Sequence, residues 1–430
     1  MDKAVKCLIL LLVVAILFIT ELIPLAITAM GGACACGILG FIPAKQVFSG
    51  LSNSTVVLFA GMFVVGAAMF YTGLAQKIGN TVVSMTGQGE NSLMFGIMLV
   101  GAALSSVLSN TGTAACLLPV VLGICSAAKM PASRQLMPLA FACGLGGIIT
   151  LVGTPPNIIA NGALDAAGIK ESFGFFEWAW IGIPVTLAGI IYMMFLGKYL
   201  LPKKELDADQ EIEQEVEANE TSASKQVISG VILLVVVFIM AAGNKIGLKG
   251  IVTLEMAAII GAMVCVLTGC LTEKQAYSSI DWVTIFLFAG MMPVSSAMDK
   301  TGAGKLIANW AVGLMGGSPS PIMVTAVLFI ISCGLTQFMS NTASAALLCP
   351  IGIAISKQLG ADPKAVLVAI AVAASCAFAS PVGTPPNTLV LGPGGYKFMD
   401  YVKAGTGLVI VSFIVSLIVI PMVWPFFPGK

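Results

Sequence analysis

The stretch SNTGTAA, residues 109–115, places polar side chains inside a long apolar run, and SNTASAA repeats the pattern at residues 340–346. The copies lie near the centres of two apolar stretches, 92–128 and 320–356. The arms beside each copy are short for full membrane spans, which need about 20 apolar residues. Non-helical backbone at membrane depth is tolerated only where it is buried in protein or lines a cavity. The pattern therefore predicts two re-entrant helical hairpins with Ser-Asn-Thr at their tips.

The whole chain has the composition of an all-α polytopic membrane protein. Of its 430 residues, 58% are hydrophobic and only 10% are charged, whereas a soluble domain carries about 25% charged residues. The apolar runs are continuous rather than alternating, which disfavours a β-barrel. Beside the two hairpins, the sequence predicts spans near residues 4–20, 24–42, 54–74, 135–160, 179–200, 227–243, 251–270, 282–298, 364–391 and 404–424.

An acidic segment, residues 201–226, divides the chain nearly in half. It holds eight of the 20 acidic residues, and a run of like charge this dense is typical of a solvated linker. Residues 1–200 and 227–430 then form two repeats. If each hairpin enters and returns on one side, each repeat crosses the membrane five times. An odd number of crossings inverts the second repeat, an arrangement that recurs in secondary transporters.

Landmarks recur in the same order and at a nearly constant spacing. FAG at 59–61 recurs at 288–290, SNT at 109–111 recurs at 340–342, and GTPPN at 153–157 recurs at 383–387. A proline pair cannot continue a helix interior, so GTPPN predicts a broken span in each repeat. Gly153 and Gly383 permit close backbone approach, which exposes carbonyl oxygens.

The two motifs together predict polar pockets made of neutral groups. Neither motif contains Lys, Arg, His or a carboxylate, the chain has no histidine, and its one arginine, Arg134, lies in a predicted loop. Carbonyl, hydroxyl and amide oxygens suit an alkali cation such as Na⁺, and free helix N-termini attract anions. A bound cation would add the positive charge that side chains do not supply, so anion binding would depend on the cation.

Other functions find less support in the sequence. A zinc protease needs HExxH and a serine–histidine dyad needs histidine, so we expect no enzyme. The net charge of +1 implies no nucleic-acid partner, and the closest cysteine pair, Cys34 and Cys36, lacks metal-ligand spacing. Glu255 lies within a predicted span, where an acid is a functional candidate, although it can also lie at an interface or bond a neighbouring helix.

The motifs resemble those of the divalent anion:sodium symporters, which carry di- and tricarboxylates or sulfate. TELIPLAITA (20–29), both SNT motifs and both GTPPN motifs match, and the resemblance covers essentially the whole chain. It implies a homodimer in the bacterial inner membrane, with a scaffold part and a transport part that moves as an elevator. It also implies a cytoplasmic acidic segment and no organic cofactor. The family usually has one more helix before TELIP, so ten spans place the N-terminus opposite the family's usual side.

The resemblance also implies the site residues. Two Na⁺ sites would use Ser105, Ser109, Asn110 and backbone at Gly153, and then Thr336, Ser340, Asn341 and backbone at Gly383. The anion would lie between the tips and contact Asn110, Thr111, Thr154, Asn341, Thr342 and Thr384.

Two mechanisms remain open at this point. Sodium-coupled symport of succinate, malate, fumarate, another di- or tricarboxylate, or sulfate is the leading hypothesis. An electroneutral dicarboxylate exchanger of the same architecture is the alternative. A passive channel is disfavoured, because hairpins and broken helices suit an occluded site.

Overall fold

The computed structural model of the chain describes residues 2–85, 89–169, 172–203, 222–242, 251–316 and 319–427, and every regular element in these ranges is a helix. Within these ranges, seven helices are long and apolar enough to cross a membrane. The expected all-α membrane architecture is confirmed. Most of the predicted acidic linker, residues 204–221, lies outside the described residues.

The first half of the chain contains nine α-helices among its described residues: α1 (Lys3–Thr20), α2 (Leu25–Ile38), α3 (Ser54–Tyr71), α4 (Leu74–Met85), α5 (Glu90–Ser105), α6 (Asn110–Ala127), α7 (Leu136–Gly147), α8 (Pro155–Ala166) and α9 (Ala179–Phe195). The described part of the second half contains ten: α10 (Ala223–Ala242), α11 (Leu254–Leu267), α12 (Glu273–Ser278), α13 (Trp282–Thr301), α14 (Ala303–Leu314), α15 (Pro321–Thr336), α16 (Asn341–Leu359), α17 (Pro363–Ala374), α18 (Pro385–Leu391) and α19 (Phe398–Val423). Apart from α12, the helices of the second half follow those of the first in the same order.

Each SNT serine begins the second helix of a pair. The Ser109 hydroxyl caps α6 by accepting from the Gly112 N–H at 3.1 Å, and Ser340 caps α16 by accepting from Ala343 at 3.1 Å. Such caps satisfy one of the free N–H groups at a helix start. The start of α5 and the end of α6 lie at the same end of the molecule. This is shown by Arg134, in the segment after α6, which pairs with Glu90 at the start of α5.

Each GTPPN motif begins inside a gap between two helices and continues into the second helix. The helix α7 ends at Gly147 and α8 begins at Pro155, so the prolines stand in the first turn of α8 and the gap precedes them. A Cβ at Gly153 would lie 2.5 Å from the Gly147 carbonyl oxygen. Only glycine therefore fits this approach without a shift of the backbone.

The asparagine of each GTPPN motif closes the gap. The Asn157 amide donates to the Thr150 carbonyl at 2.9 Å, and the Asn387 amide donates to Ala377 and Ser380 at 2.9 and 2.8 Å. These bonds satisfy carbonyl groups that the interrupted helices leave free. The motif thus contains both the residues that permit the break and the residue that stabilises it.

Contacts between helices define two ends of the molecule. Thr72, after α3, hydrogen bonds Ser229 near the start of α10 at 2.8 Å, and the Cys270 thiol bonds the Lys225 carbonyl at 3.8 Å. The end of α3 and the start of α10 therefore share one face, which we call the linker face because the chain emerges from the acidic segment there. The 20-residue helix α13 starts near this face and runs about 30 Å to the opposite face.

The helices pack in two groups. One contains α1, α2, α3, α10, α11 and α13, and the other contains α5 to α9 and α15 to α19. Small residues allow the close packing of the first group, since a Cβ at Gly61 would lie 2.7 Å from Ala258 of α11, and one at Gly290 would lie 2.6 Å from Ala29 of α2. The short helices α4 and α14 come directly after α3 and α13 in the sequence, and each contacts helices of both groups.

Candidate functional site

The two SNT tips meet at a cavity of about 620 Å³. Its lining includes nearly all the residues that the sequence singled out: Ser109, Asn110, Thr111, Gly153, Thr154, Ser340, Asn341, Thr342, Gly383 and Thr384. Ser105 and Thr336 lie behind the tips, where they are fully buried. The structure therefore brings together residues from opposite halves of the chain.

Oxygen atoms converge behind the first tip. The Ser105 Oγ atom lies 2.6 Å from Asn110 Oδ1 and 2.8 Å from the Cys143 carbonyl oxygen. The same atom of the Asn110 amide lies 3.1 Å from the carbonyl oxygens of both Gly153 and Cys143. A hydroxyl, the inward atom of the amide and two carbonyl oxygens thus meet at one point, where the serine hydroxyl has a single proton to donate.

The second tip repeats this arrangement with different residues. The Thr336 hydroxyl lies 2.7 Å from Asn341 Oδ1 and 2.7 Å from the Ala374 carbonyl oxygen. The Asn341 amide atom lies 3.0 Å from Ala374 O and 3.1 Å from Gly383 O. Corresponding distances in the two sets agree closely, so we treat them as equivalent oxygen sets.

The orientation of each asparagine amide decides what an oxygen set can do. With nitrogen inward, the amide donates to the hydroxyl and to both carbonyl oxygens, and the set is satisfied internally. With oxygen inward, the amide, hydroxyl and carbonyl oxygens share one hydroxyl proton. Excess neutral oxygens of this kind, partly from unwound backbone, form the ligand type that coordinates Na⁺ in broken-helix transporters. The residues present therefore fit a sodium ion.

The part of the cavity between the tips suits an anion. Asn110 and Thr111 stand in the first turn of α6, and Asn341 and Thr342 in the first turn of α16. The helix α8 also begins there, and each of these three N-termini carries about half a positive charge. Thr154 lines the same cavity, and its buried hydroxyl makes no hydrogen bond within the described part of the chain.

Charged side chains are nearly absent from the cavity. Among the described residues that line it, Asp281 is the one charged side chain, and it stands at the linker-face end of α13. The Asp281 carboxylate is engaged in capping, since it accepts from the Thr284 N–H at 3.1 Å and from its hydroxyl at 2.5 Å. Positive charge near an anion must therefore come from helix ends and bound cations.

The remaining wall of the cavity was not anticipated from the sequence. It is apolar and comes mainly from one face of α3, with Phe59, Met62, Phe63, Gly66 and Phe70, and from Val283 and Leu287 of α13. Apolar residues in an apolar span carry no signal that distinguishes a cavity wall from a helix contact. The carbonyl groups of Cys143 and Ala374 were missed for the same reason, because backbone ligands leave no trace in residue type.

Other candidates lie away from the cavity. Glu255 stands in the first turn of α11 and is not among the residues that line the cavity. Among the described residues, no group of three or more His, Cys, Asp or Glu side chains could hold a metal ion. The single arginine stabilises the contact between the start of α5 and the segment after α6. Arg134 Nε pairs with the Glu90 carboxylate at 2.5 Å, and the neighbouring Gln135 amide donates to the Glu90 backbone carbonyl at 3.1 Å.

Comparison with known proteins gives consistent matches over the whole chain. A family model described as citrate transporter matches residues 15–253 and 236–428. An uncharacterized transporter of Haemophilus influenzae is 32% identical, over 98% of this chain and 92% of its own length. The sodium-dependent dicarboxylate transporter SdcS of Staphylococcus aureus is 26% identical, over 99% of this chain and 87% of its own length.

Solved structures share the fold at lower identity. The YdaH transporter of Alcanivorax borkumensis superimposes with a TM-score of 0.66 at 15% identity, covering 98% of both chains. MtrF of Neisseria gonorrhoeae superimposes with a TM-score of 0.65 at 13% identity, covering 92% of this chain and 86% of its own. At these identities the likeness concerns the fold alone.

Proposed function

The chain belongs to the citrate transporter family, and from that premise we propose that it carries a divalent anion across the membrane together with sodium ions. The family and the relatives are transporters rather than enzymes. The relative SdcS is named a sodium-dependent dicarboxylate transporter. The observation that carries the proposal is the pair of equivalent oxygen sets behind the two tips, each built without a charged side chain.

The proposed sodium sites are the two oxygen sets. Ser105, Asn110 and the Gly153 carbonyl would hold one ion, and Thr336, Asn341 and the Gly383 carbonyl would hold the other. The serines of the tips, Ser109 and Ser340, already cap α6 and α16 with their hydroxyls, so they would contribute through their backbone. The carbonyl oxygens of Cys143 and Ala374 would each add one ligand to these sites. These two ligands were not part of the sequence-based assignment.

The proposed anion lies between the tips. Its oxygens would accept from the hydroxyls of Thr111, Thr154, Thr342 and Thr384 and from the amides of Asn110 and Asn341. Because the same two amides belong to the oxygen sets, a sodium ion that turns the amide oxygen inward also turns its N–H₂ group outward. Cation binding would then prepare two donors for the anion, which couples the two substrates.

The energetics favour coupling to cations. Moving a dianion into a cell against 100 mV costs about 4.6 kcal/mol, at about 2.3 kcal/mol per charge. Two sodium ions cancel this electrical cost, and a third makes uptake electrically favourable. The two oxygen sets account for two of these ions.

The proposed mechanism is an elevator motion between two inverted repeats. In support, α3 ends at the linker face, whereas its counterpart in the second repeat, α13, begins there. The group that contains both tips would move against the group that contains α3 and α13. The resemblance further implies a homodimer, and cross-linking in native membranes followed by mass determination tests that part.

The test is uptake into proteoliposomes of the purified protein. We expect uptake of labelled succinate, malate, fumarate, citrate or sulfate to rise with external Na⁺, and thermal stabilisation by the preferred anion to require Na⁺. Uptake that is unchanged when choline replaces Na⁺ would refute sodium coupling. Counterflow that needs internal dicarboxylate and ignores Na⁺ would instead support the electroneutral exchanger.

A further inference from the structure

We infer that a second route to the cavity runs between α13 and the helices α8 and α16, and that an ion pair between Asp299 and Lys357 favours its closed state in this conformation. Such a route presupposes the alternating access and the paired repeats proposed above. The open cavity reaches the linker face, where Asp281 and Tyr71 line it. The second route would reach the opposite face, where α13 ends.

The contact between α13 and the helices α8 and α16, which we call the seam, is closed in this structure. Its residues on α13 are counterparts of residues that line the open cavity. One face of α3 lines the cavity with Phe59, Met62, Phe63, Gly66 and Phe70. With FAG at 59–61 aligned on FAG at 288–290, their counterparts on α13 are Phe288, Met291, Met292, Ser295 and Asp299. All five line two small voids against α8 and α16, of about 10 and 100 Å³. One face of each helix thus bounds an open cavity in one repeat and a closed seam in the other.

The helices on the other side of the seam show the same correspondence between cavity residues and seam residues. Ala115 of α6 lines the open cavity, and its counterpart in the second SNT helix, Ala346 of α16, lines the smaller void. The seam is tightly packed at its centre, because a Cβ at Gly162 of α8 would lie 2.1 Å from the Phe288 ring. The counterpart ring, Phe59, borders the open cavity. The voids therefore mark where two matching faces separate when the opposite vestibule opens.

An ion pair joins the two helix groups at the outer end of the seam. Lys357 Nζ in α16 lies 3.1 Å from Asp299 Oδ1 in α13, with the side chains 47% and 67% exposed. Their counterparts in the first repeat are Ser126 and Phe70, which cannot form such a pair. The pair must break when the faces separate. Exposed ion pairs are weak, so we expect its loss to shift the conformational equilibrium by roughly fivefold at most.

Cysteine labelling from each side of oriented vesicles tests the seam. Ser295→Cys and Gly66→Cys are matched variants, because the two positions are counterparts, and a Cβ at Gly66 meets only ordinary contacts, the nearest at 3.7 Å. The background carries Cys116→Ala and Cys349→Ala, because Cys116 lines the cavity and Cys349 lines the smaller void at the seam. With an impermeant maleimide, Gly66→Cys should react from the linker face and Ser295→Cys only from the opposite face. Met292→Cys replaces Ser295→Cys if the latter does not fold.

The ion pair is tested in the same backgrounds. Asp299→Asn and Lys357→Gln should each raise labelling of Ser295→Cys up to roughly fivefold and lower that of Gly66→Cys. The double exchange Asp299→Lys with Lys357→Asp should restore both rates. Lys300→Gln is the control, because Lys300 bonds Gln46 at 2.7 Å, outside the seam, and it should change neither rate.

Different experimental results would refute the proposed seam and the proposed transport function. A protein that takes up anion while Ser295→Cys and Met292→Cys stay unreactive from the opposite face would overturn the route. Labelling of Ser295→Cys that is equal with and without Asp299 would overturn the role of the ion pair. Labelling that responds to Asp299→Asn in a protein without Na⁺-dependent uptake would keep the route and refute sodium symport.

Discussion

Replacing Ser105 with alanine removes one oxygen from the first oxygen set and leaves its backbone in place. The Ser105 hydroxyl is within 2.8 Å of both Asn110 Oδ1 and the Cys143 carbonyl, and it is fully buried, so water cannot replace it without a shift in packing. Interactions of polar groups with a charged partner contribute about 1.5–3 kcal/mol each. We therefore expect Ser105→Ala to raise the Na⁺ concentration for half-maximal uptake by roughly 10- to 150-fold.

The assay is Na⁺-dependent uptake, paired with thermal stability at each Na⁺ concentration. Ser106→Ala is the matched control, because Ser106 is the next residue and its hydroxyl bonds the nearby Ala103 carbonyl at 2.7 Å rather than the oxygen set. In the second set, Thr336→Ser keeps the hydroxyl and should shift Na⁺ dependence far less than Thr336→Ala. Identical Na⁺ dependence of Ser105→Ala and Ser106→Ala would refute the assignment of the oxygen sets.

Three further substitutions test the structural roles of residues in and around the site. Gly153→Ala should lower the free energy of unfolding by about 1–3 kcal/mol through overpacking. Gly123→Ala is the control and should not, because no atom lies within 4 Å of a Cβ at that position. Equal melting temperatures of the two variants would contradict the close approach of Gly153 to the Gly147 carbonyl. Asn157→Asp removes the donor that closes the helix gap and should destabilise by about 1–3 kcal/mol even without Na⁺; unchanged unfolding would show that the gap needs no closure. Arg134→Gln breaks the pair with the half-exposed Glu90 and should lower stability while the Na⁺ dependence of uptake stays unchanged, whereas a shifted Na⁺ dependence would place Arg134 in the transport mechanism.

Sequence patterns were most informative where polar residues interrupt apolar runs. The turns of both hairpins and both helix gaps fall at the SNT and GTPPN motifs, because serine caps and proline in a first turn act locally. The position of the break was less well predicted. The proline pair begins the second half of the span rather than ending the first, since its fixed φ suits the first turn of a helix.

Other elements gave weaker signals. The helices α4 and α14 were not predicted, because each has only 12 residues with mixed polarity, too short and too polar for a span. The asparagine of GTPPN looked like part of a ligand motif, yet its amide bonds backbone carbonyl groups. Its role depends on where the interrupted chain places those carbonyls, which residue types do not reveal.

The sequence by itself determined the helical membrane class, the two polar tips and the neutral chemistry of the motifs, because composition, capping and proline act over a few residues. Only the tertiary structure decided which backbone carbonyls meet the asparagine amides, which face of α3 walls the cavity, and which end of the cavity is open. Each oxygen set depends on packing between separate segments of one half of the chain, and the cavity depends on packing between the two halves. Local preferences end within a turn or two of helix, whereas the site is made where distant helices touch.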